Sequence, residues 1–209
     1  MSVSGLKRWG IAVVAAVMVC GPLSAAPARI EPARSTSVVA DAAREGDLAT
    51  VKRLLKEGGD VNAALGDGTT ALHHAAMRGD ADMVSVLLYA GANVRATTRL
   101  GGYTPLHLAS QRGHEQVIQL LVKAGANPNQ PTVTGTTPLM FAAASGDVRS
   151  VEALVAQGAD VNAREDTRGL TALMFAAGAD RAAVVRVLAK SGADLKATSN
   201  ALDLALSLD

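Results

Sequence analysis

The chain has few aromatic residues and one cysteine. Aromatic residues make up 2% of its 209 residues, with one Trp, two Tyr and two Phe. Alanine is abundant instead. Small side chains allow helices to stack closely, and they are less suited to a single globular core filled by aromatic side chains. The formal net charge is +1, so no strong overall field is expected to attract nucleic acid or a membrane surface.

The sequence also lacks the short motifs of common catalytic and nucleotide-binding sites. It contains no G-x-S-x-G elbow, no Walker loop, no dinucleotide fingerprint and no H-E-x-x-H pair. Acidic residues are scattered singly, and Asp60, Asp160 and Asp194 recur at one offset that is typical of turns. The sequence therefore predicts a protein that is not an enzyme and that has no cofactor.

The first segment differs from the rest of the chain. Lys7 and Arg8 precede an apolar run and then a cluster of small residues. This layout is typical of a secretory signal peptide over residues 1–28, with Ala26 and Ala28 at the small-residue positions before the cut. Cleavage after Ala26 is an alternative, although Pro27 would then begin the mature chain.

Two other interpretations of this segment stay open. One is a retained membrane anchor, although the apolar run from Trp9 to Cys20 is shorter than the ~20 residues that a spanning helix needs. The other is a lipid-modified Cys20, although the residues before it do not resemble a lipobox, which has a small residue directly before the cysteine.

Cleavage after Ala28 would change both charge and chemistry. It removes two basic residues and no acid, so the mature charge becomes +1 − 2 = −1, and it removes the cysteine. A chain without thiols is compatible with an oxidising compartment. We therefore expect a periplasmic or secreted protein, not bound to a membrane after cleavage, in which residues 29–37 form a tether.

The stretch from Gly101 to Asn129 shows the unit from which the rest is built. Thr104 can cap a helix and Pro105 suits its first position. Gly113 allows a sharp reversal into a second helix, which Gly125 ends. The unit therefore predicts two short antiparallel helices followed by an extended link.

The same unit recurs along the chain. Its capping threonines are Thr70, Thr104, Thr137 and Thr171, which are 34, 33 and 34 residues apart. With the T-P-L-H-x-A pattern, this period resembles the ankyrin repeat, whereas the tetratricopeptide repeat has a different pattern. The resemblance runs from Val38 to the C-terminus. It implies an all-α ankyrin-repeat solenoid of antiparallel helix pairs joined by β-hairpin-like links.

The repeats divide the chain into six segments, which are an N-terminal cap repeat (38–67), repeats 2 to 5 (68–101, 102–134, 135–168 and 169–197) and a C-terminal half-cap (198–209). The links from Ala92 to Thr104 and from Ala159 to Thr171 are one residue longer than the link from Ala126 to Thr137 and should bulge. In repeat 5 the reversal falls on Asp180 instead of glycine. Aspartate tolerates the left-handed conformation better than most residues, so a looser turn is expected there.

Histidines recur in the motif, and histidine is a common metal ligand. His73 and His107 occupy the same position in successive repeats, and His74 stands where other copies carry apolar residues. A metal or small-ligand site at these three residues is one hypothesis. The resemblance favours the other, in which the motif histidine hydrogen-bonds the backbone near the preceding turn, and we predict no metal site.

The variable positions of the repeats indicate where a partner would bind. In ankyrin-like proteins these are the link tips and the exposed side of the first helices. The predicted partner-binding residues are Met77, Arg78, Arg99, Leu100, Tyr103, Gln111, Arg112, Thr136 and Arg168. Three of them, Arg78, Arg99 and Arg112, are expected to fall together and to meet an acidic element, unless this is merely a solvated face.

The resemblance implies a non-catalytic protein–protein interaction module. We expect a monomer that binds another protein through its concave face and link tips, and no nucleic acid. The alternative function is an inhibitor or immunity protein that blocks an exported enzyme or toxin, or a support factor for a periplasmic stress-defence enzyme.

Overall fold

Ten short helices account for about half of the residues between 37 and 200, the part of the chain that the computed structural model describes. In order they are α1 (Val38–Glu45), α2 (Leu48–Lys56), α3 (Ala71–Arg78), α4 (Ala81–Tyr89), α5 (Pro105–Arg112), α6 (Glu115–Lys123), α7 (Pro138–Ser145), α8 (Val148–Ala156), α9 (Ala172–Gly178) and α10 (Ala182–Lys190). The predicted signal peptide, residues 29–36 of the predicted tether and residues 201–209 of the predicted half-cap lie outside the described residues.

The first helices of repeats 2 to 5 begin at a threonine, and after each first helix the chain reverses at a left-handed residue. At the start of α5, the Thr104 hydroxyl accepts from the His107 amide at 3.4 Å, and Pro105 occupies the first helical position. Gly113 follows the helix with a φ of 70°, which disfavours a Cβ. Asp180 reverses the last pair with a φ of 58°, and no other non-glycine residue in the described chain has positive φ. The predicted helix pairs and reversals are confirmed.

The second helices start in two ways. The carboxylates of Asp47, Asp80 and Asp147 accept amides of their own helices at 3.0, 2.9 and 2.8 Å. His114 and Arg181 replace aspartate at the starts of α6 and α10. Their side chains instead contact backbone carbonyls in the last turn of the preceding repeat's first helix, each at 3.2 Å. These two residues therefore join neighbouring repeats.

The helices form two layers around one continuous core. First helices stack on first helices and second helices on second helices. Leu72, Leu106 and Leu139 are almost fully buried, and burying such a side chain stabilises a fold by about 1.5–3 kcal/mol. The first helices pack more closely than the second helices do, because small residues such as Ala109 and Ala142 are buried in them. The stack is therefore concave on the first-helix side.

The links are hairpins closed by backbone hydrogen bonds, without regular strands among residues 37–200. The amide-to-carbonyl closures are Leu65 to Thr69, Thr98 to Tyr103, Thr132 to Thr136 and Glu165 to Leu170, at 2.8–3.0 Å. The second and fourth span one more residue, so the extra residue of each longer link lies in a hairpin tip. Single backbone bonds, such as Arg99 to Asp67 at 2.8 Å, join successive hairpins. The all-α fold with β-hairpin-like links is confirmed.

Candidate protein-binding surface

One group of large exposed side chains lies where the first helices end. We call Met77, Arg78, Gln111 and Arg112, the last two residues of α3 and of α5, the helix-end cluster. Met77 is 38% exposed and the other three are also exposed. The Arg78 guanidinium lies against Gly46 at the end of α1. Within residues 37–200 neither arginine forms an ion pair or a hydrogen bond, so both cations are accessible to a partner.

A second exposed group lies at the hairpin before α5. We call Arg99 and Leu100 the tip pair, and Leu100 is 81% exposed. These residues precede the start of α5, whereas Arg112 ends it. A helix of eight residues spans about 12 Å. The backbone of Arg99 therefore lies about one helix length from that of Arg112, and the grouping of the three arginines stays a prediction.

Two of the predicted contact residues belong mainly to the framework. The Tyr103 ring is half-buried, with its centroid 5.8 Å from the Phe141 ring and 6.2 Å from the His107 ring. Thr136 is 9% exposed, and its hydroxyl lies 3.1 Å from the Thr134 hydroxyl. Thr136 therefore offers little surface to a partner, and Tyr103 offers only part of its side chain.

The remaining predicted residue, Arg168, is exposed at the tip of the hairpin before α9. Its amide donates to the Glu165 carboxylate at 2.6 Å, as do the amides of Thr167 at 2.8 Å and Leu170 at 3.2 Å. Burial alone would raise the pKa of Glu165, but these amide donors outweigh it and hold the pKa below its usual value. Glu165 thus fixes the hairpin that presents Arg168.

His73 is fully buried and both of its ring nitrogens have partners. The Thr70 amide donates to Nδ1 at 3.2 Å, which fixes Nδ1 as an acceptor and places the ring proton on Nε2. Nε2 then donates to the Tyr103 carbonyl of the next repeat at 3.0 Å. Burial, the largest influence, lowers the pKa of His73. The ring is therefore neutral and links two repeats through backbone groups.

His107 repeats this arrangement in part. Its Nδ1 accepts from the Thr104 amide at 3.0 Å. Its Nε2 is buried and faces the carbonyls of Gln130 and Thr136, but reaches hydrogen-bond geometry with neither. Burial lowers the pKa of His107 to about 4. His107 is therefore neutral near pH 7 and bonds to backbone of its own turn.

His74 lies on α3 and is 7% exposed. Its Nε2 is 3.3 Å from the Thr69 hydroxyl. Burial lowers the pKa of His74, opposed by the nearby Asp67 carboxylate. Within the described residues no three His, Cys, Asp or Glu side chains converge into a metal-ligating group.

A recurring asparagine, outside the set of predicted contact residues, ties neighbouring links together. The Asn62 amide group donates to the Gly91 carbonyl at 3.2 Å, and its oxygen accepts from the Asn93 amide at 2.7 Å. Asn129 and Asn162 make the same two contacts with the repeats that follow them. The signal was visible in the sequence as asparagine at one repeated offset.

Comparison with known proteins agrees with this architecture. A family model described as ankyrin repeats (3 copies) matches residues 39–132 and 125–199. These matches cover more than half of the chain, which therefore belongs to the ankyrin-repeat family. Ankyrin repeats are generally non-catalytic modules for protein–protein interaction.

Similar proteins match this chain over only a small part of their own length. A mitochondrial disaggregase of Bos taurus is 39% identical over 93 residues, which cover 44% of this chain and 13% of that protein. Potassium channel AKT3 of Oryza sativa subsp. japonica is 43% identical over 56 residues, which cover 26% of this chain and 6% of the channel. The matched segments are thus small parts of these relatives. No helix between residues 37 and 200 has the length and apolar character to cross a membrane.

Proposed function

We propose that this chain is an exported, non-catalytic module that holds a partner protein against its concave side. The helix-end cluster carries this proposal. It presents two arginines, a methionine and a glutamine from successive repeats, and arginine and methionine are enriched at the centres of protein interfaces. Because these residues end helices that are fixed by the core, little backbone conformational entropy is lost when a partner binds.

The charge of the cluster defines the partner's chemistry. Arg78 and Arg112 occupy equivalent positions, one repeat apart, without an acidic partner in the described chain. Carboxylates are suited to pair with guanidinium groups in a bidentate geometry. We propose that an acidic element of the partner meets these two arginines, and that the tip pair makes a second contact about a helix length away.

Export is supported by the sequence of the first 28 residues and by the absence of cysteine after them. Intact-mass measurement of the protein recovered from a periplasmic fraction or a culture medium tests this part of the proposal. We expect a chain that begins at Arg29. An unprocessed chain that starts at residue 1 and stays in the cytoplasm would contradict export without affecting the binding surface.

Paired arginine substitutions test the surface. Proteins that bind the exported chain are recovered by pull-down from the envelope and identified by mass spectrometry, and the affinity of the strongest binder is then measured by calorimetry. The change Arg78→Ala with Arg112→Ala should weaken binding by about 1–3 kcal/mol. The matched control, Arg149→Ala with Arg186→Ala, removes two exposed arginines from second helices and should leave affinity unchanged.

Equal affinity of both double variants and the parent would refute the concave surface as the binding site. Thermal unfolding of each variant separates loss of binding from loss of fold. An inhibitor of an exported enzyme or toxin would use the same surface, and assaying the partner's activity with and without the chain distinguishes inhibition from simple attachment.

A further inference from the structure

A groove on the opposite, second-helix side separates α2 from α4. It has a volume of about 310 Å³ and is lined by Lys52, Leu55, Lys56, Val86, Tyr89 and Ala90. Leu55 and Val86 are half-buried, so they form an apolar floor that water still reaches. The helices α2 and α4 also pack less closely than the later pairs of second helices do. The groove is therefore a true opening between two repeats.

The groove carries an unusually exposed aromatic side chain. Tyr89 is the last residue of α4 and is 96% exposed. Tyrosine presents a large rigid surface with one polar end and is over-represented among the residues that dominate binding energies. In a chain with only two tyrosines, this one contributes almost nothing to the core. Its position favours contact with another molecule.

The rim of the groove is positively charged. Lys52 and Lys56 stand one helical turn apart on α2, and within residues 37–200 neither forms an ion pair. The neighbouring Arg53 is already paired with Glu57 at 2.9 Å. No acidic side chain of the described chain lines the groove. An occupant that carries carboxylates would therefore be attracted to it.

The equivalent groove farther along the stack shows that the fold does not require these residues. Between α6 and α8 an opening of about 360 Å³ is lined by Gln119, Lys123, Ala153, Ala156 and Gln157. Subtraction gives 119 − 52 = 67 and 156 − 89 = 67, so the two grooves use the same repeat positions. The later groove has glutamine in place of the first lysine and alanine in place of tyrosine. The two grooves therefore use equivalent backbone positions, but the α2/α4 groove has an additional lysine and a tyrosine that the α6/α8 groove lacks.

We propose that the α2/α4 groove is a second docking site, which binds an acidic segment of a partner protein. One aromatic or aliphatic side chain of that segment contacts Leu55, Val86 and Tyr89, and flanking carboxylates contact Lys52 and Lys56. This site lies on the second-helix side, away from the helix-end cluster, so it stands whether or not the concave surface binds a protein.

A short synthetic peptide rich in Asp and Glu with one central Phe is the probe. Titrated into the ¹⁵N-labelled protein, it should shift backbone resonances of α2 and α4 and leave those of α6 and α8 unchanged. The double change Lys52→Glu and Lys56→Glu should weaken binding by at least about tenfold, since it reverses both rim charges. Tyr89→Ala should weaken it by about threefold or more.

Matched control variants show whether the peptide binds in the α2/α4 groove itself. Gln119→Glu with Lys123→Glu places two carboxylates at the same positions of the α6/α8 groove and should leave binding within about twofold of the parent. Arg78→Ala with Arg112→Ala should also preserve it, which separates this site from the concave surface. Retained folding of every variant is checked by circular dichroism.

Several results would overturn the proposal. Absence of shifts, or equal shifts in both grooves, would remove the site. Equal binding of a peptide with Ala in place of Phe would show attraction by charge alone. Concentration-dependent dimerisation that Tyr89→Ala abolishes, seen by sedimentation, would assign the groove to a second copy of the chain instead.

Discussion

Repeats 2 and 3 differ from repeats 4 and 5 in how the start of the first helix is anchored. In repeat 2 the Thr70 amide donates to the His73 imidazole at 3.2 Å. In repeat 4 the equivalent Thr137 amide faces the Met140 sulfur at 3.4 Å, and a thioether is a weak acceptor. The hydroxyls of Thr137 and Thr171 are buried without a hydrogen-bond partner in the described chain.

This difference teaches that the backbone of the repeat does not depend on its polar anchor. Both halves keep the threonine start and the left-handed reversal, and the leucine of the motif is buried in repeats 2, 3 and 4. The hydrogen bond from the threonine amide to the histidine instead stabilises its own repeat. In a stack whose repeats contact only their neighbours, such stabilisation is not spread evenly over the whole chain. We therefore expect repeats 2 and 3 to be the more stable half near neutral pH and the more sensitive to acid.

Acidification should have the largest effect on this comparison. The pKa of His107 is lowered from 6.5 to about 4 by burial, so between these values the unfolded chain binds a proton that the folded chain does not. Stability is thus complete above pH 6.5 and falls as the pH approaches 4. The loss from His107 should be about 3 kcal/mol, with His73 adding to it because its pKa is lowered as well. Urea unfolding at several pH values measures this loss.

The double change His73→Met and His107→Met gives the two halves the same chemistry and serves as the control. It should flatten the dependence of the unfolding free energy on pH between 6.5 and 4. The carboxylates with lowered pKa, such as Glu165, act mainly at lower pH. A slope that survives the double change would show that other groups cause the acid sensitivity.

Exchanging the reversal residues should have the next largest effect. Gly113→Asp places a Cβ at a φ of 70° and close to the Asp147 side chain, so it should cost about 1–2 kcal/mol. Asp180→Gly relieves the left-handed aspartate in repeat 5 and should stabilise the fold by up to about 1 kcal/mol. Urea midpoints of both variants test this prediction. A destabilised Asp180→Gly variant would mean that the aspartate has a favourable role in the turn.

The architecture was predictable from sequence because its causes are local. Thr104, Pro105 and Gly113 determine a helix start and a reversal by their own conformational preferences. Equivalent residues recur in the other repeats, so the same local structure is expected there. The exposure of Thr136 was not predictable, since it depends on a hydroxyl turned into the hairpin. The α2/α4 groove was not predictable either, because it depends on how far apart two second helices lie.

The smallest effect is expected from removing only the hydroxyl of the threonine that caps a first helix. The Thr104 hydroxyl lies 2.8 Å from His107 Nδ1 and accepts from the His107 amide, so Thr104→Val should cost about 1 kcal/mol. The Thr137 hydroxyl is buried without a partner in the described chain, so Thr137→Val replaces an unsatisfied group by a methyl and should be neutral or slightly stabilising. Guanidinium unfolding of the two variants compares them directly. An equal cost at both positions would mean that the hydroxyl of repeat 4 is satisfied in solution, and that the two halves differ less in their anchors than histidine and methionine suggest.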